Sequence, residues 1–296
     1  LRKPLNASPE ETFWYWIRER HEMYRKREVE RLPKPWTADP ILQAYRFCNP
    51  FRENDKVTTW LRENFLLPNA DSSADILAFN IVWFRFFNRI ETAAALGFMN
   101  EWDPVAIKAT LRDRQKRKLP VFTGAYIVRS ENGQPKIDSV VNALEPIWEA
   151  RLEIADACRE TQSLEAMTKW MTRFRLIGTF MAFEMVSDMR HTKLLNTATD
   201  IMTWANPGPG AMRGLRRMFG TPKMRKDGQI EQWLPGKSYV ALMQELLARA
   251  PEQLGPDFPK MEMREIEHSL CEFDKYSRVK NNEGRPRSLY AGGAAA

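Results

Sequence analysis

Apolar residues return every three or four positions through residues 9–31, 73–96, 140–159 and 164–190, and two-residue alternation is scarce. A stripe of that period buries one face of an α-helix and does not fit the pleat of a strand, so it constrains the chain to a mainly α fold. Residues 41–60 read as a further helix interrupted by Pro50, with Asn49, Arg52, Asp55 and Lys56 at spacings of three and four along one face. Two short stretches leave the helical period. Ala125-Tyr126-Ile127-Val128-Arg129 followed by Asn132-Gly133 predicts a small β-hairpin within 124–137. After the Lys226-Asp227-Gly228 turn, 229–234 reads as another short extended piece. Trp14, Trp16, Trp83, Phe84, Phe86 and Phe87 recur at helical spacing and are expected in the core, while Arg85 and Arg89 line either a cleft beside Asn88 or the surface.

With 296 residues, 43% of them hydrophobic, the chain can bury a sizeable core. The expected organisation is one large helical domain over 1–290, or two lobes of about 1–135 and 136–290 with the active cleft between them, and 291–296 as a disordered tail or cloning remnant. Forty-five Lys and Arg against 38 Asp and Glu give a net charge of +7, which favours an anionic partner. Cys48, Cys158 and Cys271 stand far apart without Cys-x-x-Cys spacing and only three histidines accompany them, so no zinc cage is expected. Neither a signal peptide nor an apolar run of roughly 20 residues is visible. The reading is a cytoplasmic, reduced protein with no membrane partner.

Four segments carry chemistry-bearing residues. Pro35-Trp36-Thr37-Ala38-Asp39-Pro40 presents an aromatic and an acid from a stiff turn, followed by Tyr45-Arg46-Phe47-Cys48-Asn49. Phe174 to Ala182 reads as a helix, a tight turn at Gly178 and a second helix, and is similar to the hairpin of helix-hairpin-helix DNA-binding proteins, which implies that the turn and the first amides of the second helix hold a DNA phosphate. Thr199-Asp200 follows about twenty residues later, the distance at which glycosylases with such a hairpin carry an aspartate, so Asp200 is either a catalytic acid, as that similarity implies, or the cap of a helix over 201–205. Pro207-Gly208-Pro209-Gly210-Ala211-Met212-Arg213-Gly214-Leu215-Arg216-Arg217 joins a glycine turn to a basic helix. Arg213 and Arg217, four apart, are placed to grip a diphosphate or two backbone phosphates. In the last segment, Glu267, His268, Cys271, Glu272 and Lys275 fall at helical spacings ahead of Arg278, Arg285 and Arg287. Cys271 reads as a packed residue, since no orienting group or oxyanion hole accompanies it. There is no Gly-x-x-x-x-Gly-Lys-Ser/Thr phosphate loop, so the chain is not expected to phosphorylate a base itself.

The run PWTADPILQAYRFCN with Arg52 and Asp55, the block Gly208 to Leu215, and the block Glu267 to Tyr276 with Gly284-Arg285-Pro286 resemble three ordered motifs of one family. It is the α-glutamyl/putrescinyl thymine pyrophosphorylases, also described as amino acid:DNA transferases of thymidine hypermodification. The resemblance implies a helical fold related to the helix-hairpin-helix DNA glycosylases. It also implies action on double-stranded DNA in which a thymine's 5-methyl carbon carries a pyrophosphorylated hydroxyl. The amine of a free amino acid, glycine among the candidates, or of a polyamine would displace pyrophosphate. In that picture Asp200 and Asp55 are the candidate catalytic acids. Trp36, Asp39, Tyr45, Phe47 and Asn49 would hold a base drawn out of the stack. Arg46, Arg52, Gly178, Gly208, Gly210, Arg213 and Arg217 would bind pyrophosphate or DNA phosphates, and His268, Glu272, Lys275 and Arg278 the amino acid, with Glu272 and Asp274 on its ammonium and Lys275 or Arg278 on its carboxylate. No cofactor is required, although a divalent ion on the pyrophosphate is compatible with the scheme. Thr179 and Phe180 stand where bifunctional glycosylases carry an imine-forming lysine, which argues against lyase chemistry. A monofunctional DNA glycosylase and a non-catalytic reader of modified bases are the alternatives.

Overall fold

The computed structural model describes residues 7–220 and 237–284, together with the backbone of 223–224 and 230–232. The 226–228 turn, Arg285, Arg287 and the 291–296 tail lie outside the described residues. The protein is mainly α. In chain order the helices are α1 (Pro9–Tyr24), α2 (Pro40–Ala44), α3 (Lys56–Trp60), α4 (Ala74–Phe87), α5 (Ile90–Leu96), α6 (Pro104–Lys116) and α7 (Lys136–Glu149). They continue with α8 (Arg151–Thr161), α9 (Leu164–Met171), α10 (Thr179–Met189), α11 (Pro209–Phe219), α12 (Tyr239–Leu254) and α13 (Met263–Lys280). Between α11 and α12, β1 (Lys223–Met224) pairs antiparallel with β2 (Ile230–Gln232), where an extended piece is expected. Among the described residues no helix is long and apolar enough to cross a membrane.

The helical period over-extends where a local side chain or a proline ends a helix. The stretch 73–96 breaks at Asn88, which closes α4 in the left-handed conformation at φ 43°, a backbone Asn tolerates better than most residues. Residues 41–60 do not form one helix. The chain is helical only to Ala44, runs extended at Tyr45, and turns once more at Arg52–Asn54 before α3. Pro50 forces Asn49 out of the helical region, so the side chains of Asn49, Arg52, Asp55 and Lys56 do not share a helical face. No hairpin forms in 124–137, and 201–203 is a turn that does not continue into a helix.

Contacts divide the chain into two compact units, residues 1–55 with 201–296 and residues 56–200, so the boundaries differ from the expected break near residue 135. In the first unit α13 packs against α11, and also against α1, α2 and α12. Its start is closed by a reciprocal capping box between Glu262 and Glu265, and α1 by one between Ser8 and Glu11. A Cβ on Gly210 would stand 2.3 Å from the Cys271 Sγ, and one on Gly214 would stand 2.5 Å from the Leu270 carbonyl oxygen. These two glycines, one turn apart, let the backbone of α11 lie against α13.

The second unit is built around α4, which is buried along nearly its whole length against α8 and α10. Trp83, Phe84, Phe86 and Phe87 fill its core, and Trp14 and Trp16 fill that of the first unit. Arg85 is neither a cleft nor a surface residue. It is 2% exposed and grips Asp188 with both Nε and Nη2, the latter at 2.6 Å, while Nη1 donates to Asn88 at 2.8 Å.

Candidate active site

The first unit gathers the N-terminal motif and the C-terminal motif onto one face of α13. The Asn49 side chain accepts the Phe51 N–H at 3.1 Å, and the Asn49 backbone N–H donates to Asp55 Oδ1 at 2.9 Å. The carboxylate at the end of this loop therefore closes its beginning. Glu53 clamps the loop to the first turn of α13 through the buried Arg264, which is also paired with Glu265 at 3.0 Å. With Oδ1 occupied, Asp55 Oδ2 faces His268 Nε2 at 3.7 Å. His268, Glu272 and Lys275 lie at i, i+4 and i+7, one helical face. Glu272 accepts the Cys48 N–H at 2.9 Å and the Lys275 ammonium at 3.0 Å. One ligand-capable atom from each of Cys48, Asp55 and His268 lies within 4.8 Å of the other two.

Electrostatics divide these groups into proton holders and charge carriers. Burial and the neighbouring Glu272 and Asp55 push the Cys48 thiol up, so it stays protonated at neutral pH. Burial works against a charge on His268, but Asp55 beside it wins and holds the imidazole well above its ordinary value. Lys275 follows the same logic: desolvation lowers it, Glu272 outweighs that, and the ammonium persists. The cluster offers two carboxylates, an imidazolium and an ammonium in a small volume, the composition expected of acid–base work.

Several expected base-binding residues have structural tasks instead. Asp39 is 3% exposed. Its Oδ1 caps α2 through the N–H groups of Ile41 at 2.8 Å and Leu42 at 3.2 Å, and its Oδ2 accepts the hydroxyls of Tyr15 at 3.1 Å and Tyr276 at 2.6 Å. Burial and that carboxylate push both phenols far above their ordinary value. Tyr45 and Phe47 are buried in the core, so neither ring face is open to a base; Lys275 lies 4.9 Å over the Phe47 ring. Asn49 is 1% exposed, and its Nδ2 is buried without a hydrogen-bond partner. Trp36 alone of this group keeps a partly exposed ring, flanked by Arg27 and Lys34 at 5.7 and 5.4 Å, with its indole N–H held by the Leu32 carbonyl. Arg46 is exposed and Arg52 is buried.

The expected phosphate turn at the start of α11 is filled by the chain itself. The Gly208 N–H donates to Glu267 Oε1 at 3.1 Å, so a carboxylate of α13 already meets that helix end. Gly210 serves packing. The arginines behind it converge on the fully buried Asp274, with Nε of Arg213 and of Arg217 each at 2.8 Å and Arg278 at 3.5 Å. Arg217 also reaches Glu283, while Arg213 remains half exposed. One buried acid thus organises three cations into a basic face. Asp200 caps α9: it accepts the Ser163 hydroxyl at 2.7 Å and the amides of Leu164 at 2.8 Å and Glu165 at 3.0 Å. Both of its oxygens are committed, which removes it from the candidate acids. Gly178 starts α10 with φ −89°, a conformation open to any residue, and a Cβ there would meet nothing within 4 Å. The positive φ of that turn belongs to Leu176.

Sequence reasoning names Cys48 without giving it a task; Asp274, expected beside an amino acid's ammonium, instead holds arginines, and Glu267, expected only as a helically spaced acid, closes the start of α11. The Asp274/Arg278 spacing of four and the position of Cys48 inside the first motif are the available signals.

Comparison with known proteins bears on this site. No solved structure matches the chain. The chain is 30% identical over 243 residues to the 5-hmdU DNA kinase of Bacillus phage SP10, a match that covers 73% of this chain and 38% of the relative. It therefore spans less than two fifths of the relative's length. The family described as "5-hmdU DNA kinase, helical domain" matches residues 8–285. A 5-hydroxymethyl pyrimidine in DNA is common to that description and to the motif resemblance, whereas the reaction each names is different. Matched from the first turn before α1 to the end of α13, the chain belongs to the family of 5-hmdU DNA kinase helical domains.

Proposed function

We propose that this helical domain handles 5-hydroxymethyl-deoxyuridine in DNA and carries out the step that follows activation of its hydroxyl. An amine attacks the 5-methylene carbon, the C–N bond forms as the C–O bond breaks, pyrophosphate leaves, and the ammonium gives up a proton. The observation that carries this reading is the convergence of the first and third motifs, through Cys48, Asp55, His268, Glu272 and Lys275, on one face of α13. Asp55 or Glu272 would accept the proton of the incoming amine, and His268 and Lys275 would meet negative charge as it grows on the leaving group. The Arg213 and Arg278 side of the basic face would hold DNA phosphates or the departing pyrophosphate. The missing phosphate loop agrees with this division of labour, in which another polypeptide segment phosphorylates the base.

The relative's name favours a second reading, in which the domain presents 5-hydroxymethyl-deoxyuridine to a kinase and performs no chemistry of its own. One experiment separates the two. Duplex DNA carrying pyrophosphorylated 5-hydroxymethyl-deoxyuridine is incubated with the protein and a pool of amino acids and polyamines, then digested to nucleosides and weighed by mass spectrometry. A nucleoside bearing an amine, with pyrophosphate released and the sugar–base bond intact, supports the transferase. Tight binding to 5-hydroxymethyl-deoxyuridine DNA without turnover supports the presenting domain, and free base with abasic sites sinks both in favour of a glycosylase.

A further inference from the structure

We propose that Cys48 Sγ, Asp55 Oδ2 and His268 Nε2 form a divalent-metal site of the zinc class, with a fourth position open to water or another oxygen ligand. The three atoms lie within 4.8 Å of one another. In a tetrahedral zinc site, bond lengths of about 2.0–2.3 Å set ligands about 3.3–3.5 Å apart. Asp55 and His268, at 3.7 Å, already stand near that spacing and are too far apart for a hydrogen bond. Closing the thiol onto the same centre needs side-chain shifts of about an ångström.

The observation beside this spacing is His268 Nε2 itself, which is buried and makes no hydrogen bond of normal length, its neighbours being Asp55 Oδ2 at 3.7 Å and Cys48. A metal there would take the place of the proton that Asp55 otherwise favours on that nitrogen, so its binding would release protons. The outer partners are already in place. Asp55 Oδ1 is tied to the Asn49 N–H, and this leaves the other oxygen directed at the site, while the Cys48 backbone is tied to Glu272. A thiolate and a carboxylate would balance the charge of a divalent ion, and a soft sulfur beside imidazole and carboxylate selects zinc over magnesium or calcium. Three protein ligands with one open position is the arrangement of reactive zinc sites, whereas structural sites close with a fourth side chain.

In the occupied site Asp55 and His268 would be ligands, which leaves proton acceptance to Glu272 and the leaving group's charge to Lys275. The test needs no DNA, so its failure and that of the proposed function are distinct. The full chain is stripped with a chelator and titrated with cobalt(II). One equivalent should bind with a near-ultraviolet thiolate-to-cobalt band, zinc should displace it, and Cys48→Ser should abolish the band while Cys271→Ser retains it. In the unaltered chain, zinc should slow alkylation of Cys48 by at least about tenfold and leave Cys271 unaffected, because only the free thiolate reacts. Glu272→Gln, an outer-partner change, should weaken zinc binding by about 10- to 100-fold. Absence of a thiolate band, its survival in Cys48→Ser, or equal alkylation of Cys48 with and without zinc would overturn the site.

Discussion

At the scale of single residues, the closest backbone approach in the first unit makes a sharp demand. Gly210 faces the Cys271 side chain, whereas Gly214 faces the Leu270 backbone. A side chain can turn or be trimmed and a backbone carbonyl cannot. Gly210→Ala and Gly214→Ala should each cost about 1–3 kcal/mol through overpacking, read from urea midpoints. Cys271→Ala should recover most of the first cost, since only its Cβ and backbone remain at 3.1 and 3.3 Å, and leave the second unchanged. Rescue of both would mean that α11 simply slides, and the close-packing account would fail. His21 makes a second demand. It lies against Phe51 and Phe258, with ring centroids 5.2 and 4.8 Å away, and burial, together with Arg25 and Arg20, lowers its pKa to about 4. The unfolded chain titrates near 6.5, so between about 6.5 and 4 it binds more protons than the folded one, and stability falls as pH falls through that window. Partial hydration of the ring keeps the slope below the single-group limit of about 1.4 kcal/mol per pH unit. His21→Phe should flatten this limb without changing stability at pH 8; an unchanged slope would assign the acid sensitivity to other groups.

At the scale of elements, the capping of α9 decides what Asp200 does. Its carboxylate satisfies the orphan amides of Leu164 and Glu165 from 35 residues or more away in sequence. Asp200→Ala should cost about 1–2 kcal/mol by thermal or urea unfolding and leave base chemistry intact. Loss of turnover at unchanged stability would return Asp200 to the catalytic acids. The same element shows what is legible in sequence. Helical period locates most of the helices, because an apolar stripe is a local property, but α6 and α12 lie outside the stretches it marks. It runs through Asn88 and past Ala44 because helix ends there depend on one residue's left-handed backbone and on Pro50. The hairpin expected at 125–133 has strand-like residues and an Asn-Gly turn but no partner sheet, and a lone hairpin is marginal in water. The capping task of Asp200 is invisible in sequence because a cap contributed from a distant segment leaves no signature in spacing.

At the scale of the whole molecule, the site follows from bringing residues 48–55 against residues 268–275, a separation no periodicity records. Asp55, His268, Glu272 and Lys275 are legible as polar residues within motifs, but the sequence assigns them to separate tasks, and only the fold joins them. Arg213 and Asp274 show the same limit from the other side: cations and acid are all visible in sequence, and the burial that makes the acid their common partner is not. This arrangement makes the basic face testable without unfolding the protein. Arg213 is half exposed, and if it is removed Asp274 keeps Arg217 and Arg278. Arg213→Ala should therefore leave thermal stability within about 0.5 kcal/mol, the range of ordinary surface changes. If this face of the +7 chain lies on DNA, the variant's binding should be weaker on every duplex sequence, and the slope of log affinity against log salt should fall by about 1, as follows when one phosphate is no longer neutralised. Fluorescence anisotropy with labelled duplex across a salt series measures both quantities. An unchanged slope would leave Arg213 only the task of holding Asp274, and the DNA-facing surface would have to be sought around Trp36, Lys34 and Arg46 instead.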